Sequence, residues 1–66
     1  SEIERSVREA GVFLRNNPLF TRGEFIYHHK EWSGEWCVRV LAVLVRRGNL
    51  RPCKGNIFEV VKPVSP

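Results

Sequence analysis

The sequence predicts a mainly α fold in which three helices are followed by a small β-hairpin. Apolar residues recur three and four positions apart over residues 1–15 and 34–47, which is the spacing of one helix face. A helix-capping signal begins at residue 21, and two short extended runs flank a Gly-Asn turn after residue 48. The 66 residues, 42% of them hydrophobic, suffice for one small core and not for two.

The first helix is predicted over residues 1–15. Ser1 and Glu4 have the spacing of a capping box, in which the hydroxyl accepts from an early amide and the glutamate reaches back. Asn16-Asn17-Pro18 ends the helix, because proline lacks an amide hydrogen and disfavours helical backbone in the residue before it.

The second helix is predicted to begin directly after Thr21. Thr21 and Glu24 are a second capping-box pair, and Phe20 and Phe25 occupy the two positions of a hydrophobic staple. We expect this helix to continue through His28 and residues 30–32 to turn the chain. Two short helices joined by a brief turn are typical of a helix-turn-helix.

The third helix is predicted over residues 34–47, with Ser33 as its N-cap and Gly48 ending it in a left-handed conformation. At roughly 100° per residue, one side gathers the expected core residues Cys37, Val40, Leu41, Leu44 and Val45. The opposite side gathers Glu35, Arg39, Ala42 and Arg46, flanked by Trp36 and Val43. We expect this second side to face solvent or a partner.

The hairpin is predicted from residues 50–53 and 57–61, with Lys54-Gly55-Asn56 as a basic tip. Pro52 cannot donate to a strand ladder, so the first of these strands is expected at an edge. We expect residues 1–61 to form the domain and residues 62–66 a C-terminal tail or linker, the whole being a piece of a larger protein.

Charge is distributed unevenly along the chain, whose formal net charge is +4. The first 31 residues carry five basic and five acidic side chains, whereas residues 32–66 carry six basic and two acidic ones. The whole excess therefore lies in the second half, which indicates one face for a polyanion or an acidic partner.

Composition argues against several other classes of protein. Two cysteines are too few for the disulfide framework of a small secreted module, and no apolar run is long enough to span a membrane, so an intracellular location without membrane contact is expected. His28, His29, Cys37 and Cys53 lack the paired spacing of a zinc site, and no aspartate occurs that could orient a catalytic histidine. We expect no cofactor, no metal and no enzymatic activity.

The chain resembles the winged helix-turn-helix domain over residues 2–61. Three segments carry the resemblance: Phe20-Thr21-Arg22-Gly23-Glu24-Phe25, then Cys37-x-x-Val40-Leu41-x-x-Leu44-Val45-Arg46-Arg47-Gly48-x-Leu50, then Gly55-x-Ile57-Phe58-Glu59-Val60. The resemblance implies a DNA-binding module of the kind used in transcription regulation. In that arrangement the third helix enters the major groove of duplex DNA, and the hairpin touches a neighbouring groove or the backbone.

On this interpretation the candidate residues have distinct roles. Ser33 and Glu35 bring the start of the third helix to the phosphates or bases, and Arg39 is the candidate for a bidentate contact with guanine. Trp36 would pack on a thymine methyl or a sugar. Phosphates would be neutralised by Arg22, Lys30, Arg46, Arg51 and Lys54.

Two alternatives remain open at this point. Trp36, Val38 and Val43 could instead form an apolar protein-interaction patch rimmed by arginines, the residue types enriched at binding hot spots. RNA is the other alternative. The response to salt separates them, because nucleic-acid affinity falls steeply with added salt and the affinity of an apolar interface does not.

Overall fold

Three helices and a three-stranded antiparallel sheet form a small α+β fold, which a computed structural model describes for residues 1–65. The elements are, in chain order, α1 (Glu2–Asn16), β1 (Leu19–Thr21), α2 (Arg22–His28), α3 (Gly34–Arg46), β2 (Leu50–Cys53) and β3 (Ile57–Val60). The strand order in the sheet is β1-β3-β2. None of the helices in the described part of the chain has the length and apolar character needed to cross a bilayer.

Strand β1 is the element that the sequence did not predict, so the expectation of a mainly α fold with only a hairpin was wrong in this respect. Phe20 lies opposite Phe58 of β3, and the two rings stack with centroids 5.7 Å apart. Three residues are too few for the alternation of a strand to stand out. Two of them, Phe20 and Thr21, also serve as staple and cap of α2. The sequence pattern at these residues therefore indicated a helix start and not a strand that pairs with β3.

The capping signal of α2 is confirmed. Thr21 N–H donates to Glu24 Oε1 at 2.8 Å, and Glu24 N–H donates to Thr21 Oγ1 at 3.0 Å. The staple rings of Phe20 and Phe25 stack with centroids 5.9 Å apart. This box satisfies two amide donors at the start of a helix of seven residues, which needs such local support.

The predicted box at α1 is only half formed. The Ser1 hydroxyl accepts from Glu4 N–H at 3.4 Å, but the Glu4 carboxylate binds the guanidinium of Arg47 instead of returning to the backbone. An ion pair with a residue at the end of α3 thus replaces the second half of the box. It joins the start of one helix to the end of another.

The core lies between the three helices and the inner face of the sheet. Phe13 of α1 meets Phe20 and Phe25 edge to face, with centroids 5.2 and 5.6 Å away. The predicted core side of α3 is confirmed for Cys37, Val40, Leu41 and Leu44, which are all buried. Val45, also predicted there, is only half-buried and packs at the edge of this cluster.

The two positive-φ turns predicted around the hairpin are present. Gly48 ends α3 with φ +80°, and Gly55 and Asn56 form the tip with φ 77° and 57°. Strand β2 lies at the edge of the sheet, as Pro52 required, and β3 lies in the middle.

Residues 62–65, predicted as a tail or linker, lie against the body of the fold. The buried Asn49 side chain donates from Nδ2 to the carbonyl oxygens of Lys62 and Pro63, both at 3.1 Å. The Val64 side chain approaches Gly11 of α1, where a Cβ would be 3.5 Å from it. Pro66 lies outside the described residues.

Candidate nucleic-acid interface

The exposed side of α3 is the stripe predicted from the sequence. Its four residues are all exposed, and they lie opposite the buried side that packs on α1, α2 and β2: Glu35, Arg39, Ala42 and Arg46. Arg39 and Arg46 are seven positions apart, which places their Cα atoms roughly 10 Å apart along the helix axis. Small Ala42 lies between them and leaves the surface low at that point.

The arginines of this half of the molecule fall into two groups. Arg47 binds Glu4, and Arg51 binds Glu59 on the neighbouring strand. The hydrogen bond in each pair raises the pKa of the arginine, and the bond from Arg47 lowers the pKa of Glu4. Within residues 1–65, by contrast, neither Arg39 nor Arg46 makes an ion pair.

This difference matters for the predicted phosphate contacts. Arg51 is a candidate whose charge the Glu59 carboxylate already compensates on the sheet surface. The charges of Arg39 and Arg46 remain uncompensated by a direct partner in the described chain. The stripe of α3 therefore carries two arginines without a direct carboxylate partner in the described chain, whereas Arg51 on the sheet is paired.

Trp36 is not the exposed flank that the helical projection predicted. It is half-buried, and its indole Nε1–H donates to the Ser6 hydroxyl of α1 at 2.9 Å. Val43, on the same side of α3, is also half-buried and packs against the core. Of the three residues proposed for an apolar patch, only Val38 is exposed, at 44%.

A groove runs between the start of α1 and α3. Its lining combines the apolar Ile3, Ala42 and Val43 with Trp36 and three arginines, namely Arg39, Arg46 and Arg47. The Arg39 guanidinium lies over the Trp36 ring, with its carbon 5.8 Å from the ring centroid. One edge of the exposed stripe is therefore bordered by an aromatic ring that α1 holds in place.

The start of α3 is capped by its own serine. The Ser33 hydroxyl accepts from Trp36 N–H at 3.0 Å, so its oxygen is engaged while its proton can still be donated. Glu35 is exposed one turn before Arg39, and the two form no ion pair in the described structure.

The hairpin tip and the start of α2 form a second basic region. Arg22 N–H donates to the Asn56 carbonyl at 2.8 Å, which joins the tip to the helix start, and the Arg22 and Lys54 side chains are both exposed there. The tip is docked in this way, whereas the sequence predicted only its charge and turn. Lys30 lies elsewhere, on the turn after α2, with its ammonium 4.4 Å from the Tyr27 ring centroid.

His29 is a residue whose position the sequence did not reveal. His29 is only 4% exposed, and its ring stacks on that of Trp32 with centroids 4.0 Å apart and an interplanar angle of 3°. Its Nδ1 lies 3.1 Å from Glu31 Oε2, and the pKa of Glu31 is lowered by its own backbone amide and by this contact. His29 fixes the α2–α3 turn by packing.

The cysteines and histidines do not converge on a common point. Among residues 1–65 no group of three or more possible ligands lies close enough to hold a metal ion. Burial raises the pKa of the Cys37 thiol, with a smaller contribution from the Glu31 charge, which favours the unreactive protonated form.

The fold and its surface define a small α+β domain in which α3 exposes Arg39 and Arg46 and packs against β2 of a docked basic hairpin. No family model, curated protein or solved structure matches the chain.

Proposed function

We propose that the chain is a winged helix-turn-helix module that binds duplex DNA through the exposed stripe of α3. The observation that carries the proposal is the pair of arginines, Arg39 and Arg46, which are exposed on one helix side and unpaired within residues 1–65. A helix with its opposite side buried can enter a major groove as a rigid unit. The net charge of +4 adds a general attraction to a polyanion.

The order of elements supports the same proposal. Helices α2 and α3 are joined by a short turn, and a hairpin follows α3, as the sequence resemblance implies for a winged helix. Strand β1, which directly precedes α2, pairs with β3 and so joins the start of α2 to this hairpin. In the proposed complex Arg39 contacts base edges, whereas Arg46, Arg22 and Lys54 contact phosphates.

The protein-interaction alternative has less support. It needs an apolar surface from Trp36, Val38 and Val43, and two of these three are half-buried against the rest of the fold. The exposed apolar side chains of α3 are then Val38 and, one turn later, the small Ala42. Single-stranded nucleic acid and RNA are distinguished from duplex DNA by the following experiment.

A titration with three nucleic acids tests the proposal. A preferred duplex is first selected from a random-sequence pool, and the affinity is then measured for that duplex, its single strand and the matching RNA at two salt concentrations. We expect the duplex to bind most tightly and its affinity to fall steeply with salt. Duplex affinity that does not change with salt, or tighter binding of RNA, would contradict the proposal.

Matched arginine variants assign the surface. Arg39→Ala should weaken binding to the preferred duplex by about 1–3 kcal/mol and change binding to a scrambled duplex little. The control is Arg47→Ala, which removes an arginine already compensated by Glu4 and should have a smaller effect. Equal losses from Arg39→Ala and Arg47→Ala on both duplexes would exclude a base-reading role for Arg39.

A further inference from the structure

We infer that Ser6 and Trp36 are positioning residues for Arg39 and thereby set how sharply the α3 surface distinguishes one duplex sequence from another. The inference rests on the proposed function, because it concerns the same arginine. It assigns a role in sequence preference to Ser6, a buried residue of another helix.

The first contact holds the indole. Ser6 is only 6% exposed, and its hydroxyl accepts the Trp36 Nε1–H at 2.9 Å across 30 residues of sequence. The indole is half-buried and packs against the core. A hydrogen bond at one edge and packing on the body of the ring leave it little freedom to rotate.

The second contact reaches the arginine. Arg39 lies one helical turn after Trp36, and its guanidinium carbon is 5.8 Å from the ring centroid. This distance is within the range of about 6 Å over which a cation is attracted to an aromatic ring. A ring that is itself fixed therefore offers the exposed arginine a preferred direction, beside the groove between α1 and α3.

A preferred direction affects the two kinds of DNA contact differently. A bidentate contact with a base needs the planar guanidinium in one geometry, whereas a phosphate can be met from many directions. Holding the side chain before binding reduces the entropy lost when the base contact forms. Loss of the contact that holds the Arg39 side chain should therefore weaken binding to the selected duplex more than binding to a scrambled duplex.

Arg46 provides an internal comparison. It is on the same exposed stripe, but in the described part of the chain it has no aromatic ring within cation–π distance. Substituting Arg46 should weaken binding to the selected and the scrambled duplex by similar factors. The effect of the indole should thus be specific to Arg39.

Binding of the selected and scrambled duplexes is measured for Ser6→Ala, Trp36→Phe and the double variant. Each single substitution should lower the ratio of the two affinities by about 2- to 10-fold, the factor expected for ordering one long side chain. The double variant should lose no more than the larger single loss, because both changes break the same contact. Ser65→Ala, at an exposed serine of the tail, is the matched control.

A second measurement needs no DNA. In the free protein, side-chain protons of Arg39 that lie over the indole should resonate upfield in NMR spectra, and this shift should decrease in Ser6→Ala. The amide signals of α2 and of the sheet should stay in place, which separates release of Arg39 from loss of the fold.

The outcomes distinguish this inference from the proposed function. If Arg39→Ala abolishes sequence preference while Ser6→Ala and Trp36→Phe preserve it, the inference is wrong and the proposed function stands. Equal losses on both duplexes in Ser6→Ala would reduce Ser6 to a structural contact and also overturn the inference. If the unsubstituted domain binds no duplex, both fail together.

Discussion

The two cysteines occupy different environments at the scale of single residues. Cys37 is fully buried on the core side of α3, and burial raises the pKa of its thiol. Cys53 is half-buried at the end of edge strand β2, and both thiols are free. Burial and the raised pKa of its thiol therefore disfavour reaction at Cys37, and Cys53 is the more accessible of the two.

Thiol titration of the native protein should find one faster and one slower cysteine. We expect Cys53 to be labelled first and Cys37 to react only as the domain unfolds, and labelling in denaturant should make the two rates similar. Mass spectrometry of the labelled peptides identifies which thiol has reacted. Rapid native labelling of Cys37 would mean that α3 is rotated from the position described.

The ion pair of Glu4 and Arg47 predicts a response of stability to acid. The hydrogen bond from Arg47 lowers the pKa of Glu4 below its ordinary value of 4.5. A lowered pKa in the folded state contributes stability that is present above the unfolded pKa and is lost as the pH falls through the folded one. The contribution should therefore disappear below about pH 4.5.

Thermal melts from pH 7 to pH 2 test this sign. Glu4→Gln should be less stable than the unsubstituted domain at pH 7, and the difference between the two should shrink as the pH falls. Glu35→Gln, at an exposed glutamate of α3 without an ion pair in the described chain, is the control. A difference that grows toward pH 2 would contradict this assignment of the pair.

At the scale of elements, helix α2 depends on its staple. Phe25 is 0% exposed and contacts the rings of Phe13 and Phe20. Phe25→Ala should destabilise the domain by about 3–5 kcal/mol, a large share of the stability available to a chain of this size. The melting temperature by circular dichroism measures it, with the exposed Tyr27→Ala as control. An unchanged melt for Phe25→Ala would exclude the described core.

Local signals explain why the sequence predicted these helices well. A capping box, a staple and a stop at proline act within a few residues, so the bounds of α2 and α3 could be derived from adjacent positions. Strand β1 could not be, because it forms only when Phe20 meets Phe58. Its pairing depends on a strand far along the chain, and three residues carry no pattern of their own.

The candidate site divides in the same way. The exposed stripe of α3 follows from helical periodicity, so the exposure of Arg39 and Arg46 can be predicted from the sequence alone. The compensation of Arg47 by Glu4 joins residues 43 positions apart, and no local signal marks it. The contact of Ser6 with Trp36 joins residues 30 positions apart, and no local pattern marks it either. Helical periodicity alone therefore predicted an exposed indole.

At the scale of the whole molecule, the ion pairs as well as the composition decide where uncompensated positive charge lies. Lys54 at the hairpin tip and Arg51 on the sheet differ in this respect, because Glu59 compensates only Arg51. Lys54→Gln should reduce the slope of log affinity against log salt for duplex DNA by about one unit. Arg51→Gln should reduce it less. Equal reductions of the slope by Lys54→Gln and Arg51→Gln would contradict the proposal that Lys54 contacts a phosphate and Arg51 does not.

We propose that the exposed stripe of α3 and the hairpin tip contact the same DNA duplex. The most direct test is an NMR titration of the ¹⁵N-labelled domain with the selected duplex, following every backbone amide. We predict that the largest shift changes occur along the exposed stripe of α3 and at the tip around Lys54, with residues 62–65 little affected. Changes confined to the tail and α1, or no changes at all, would contradict the proposed interface.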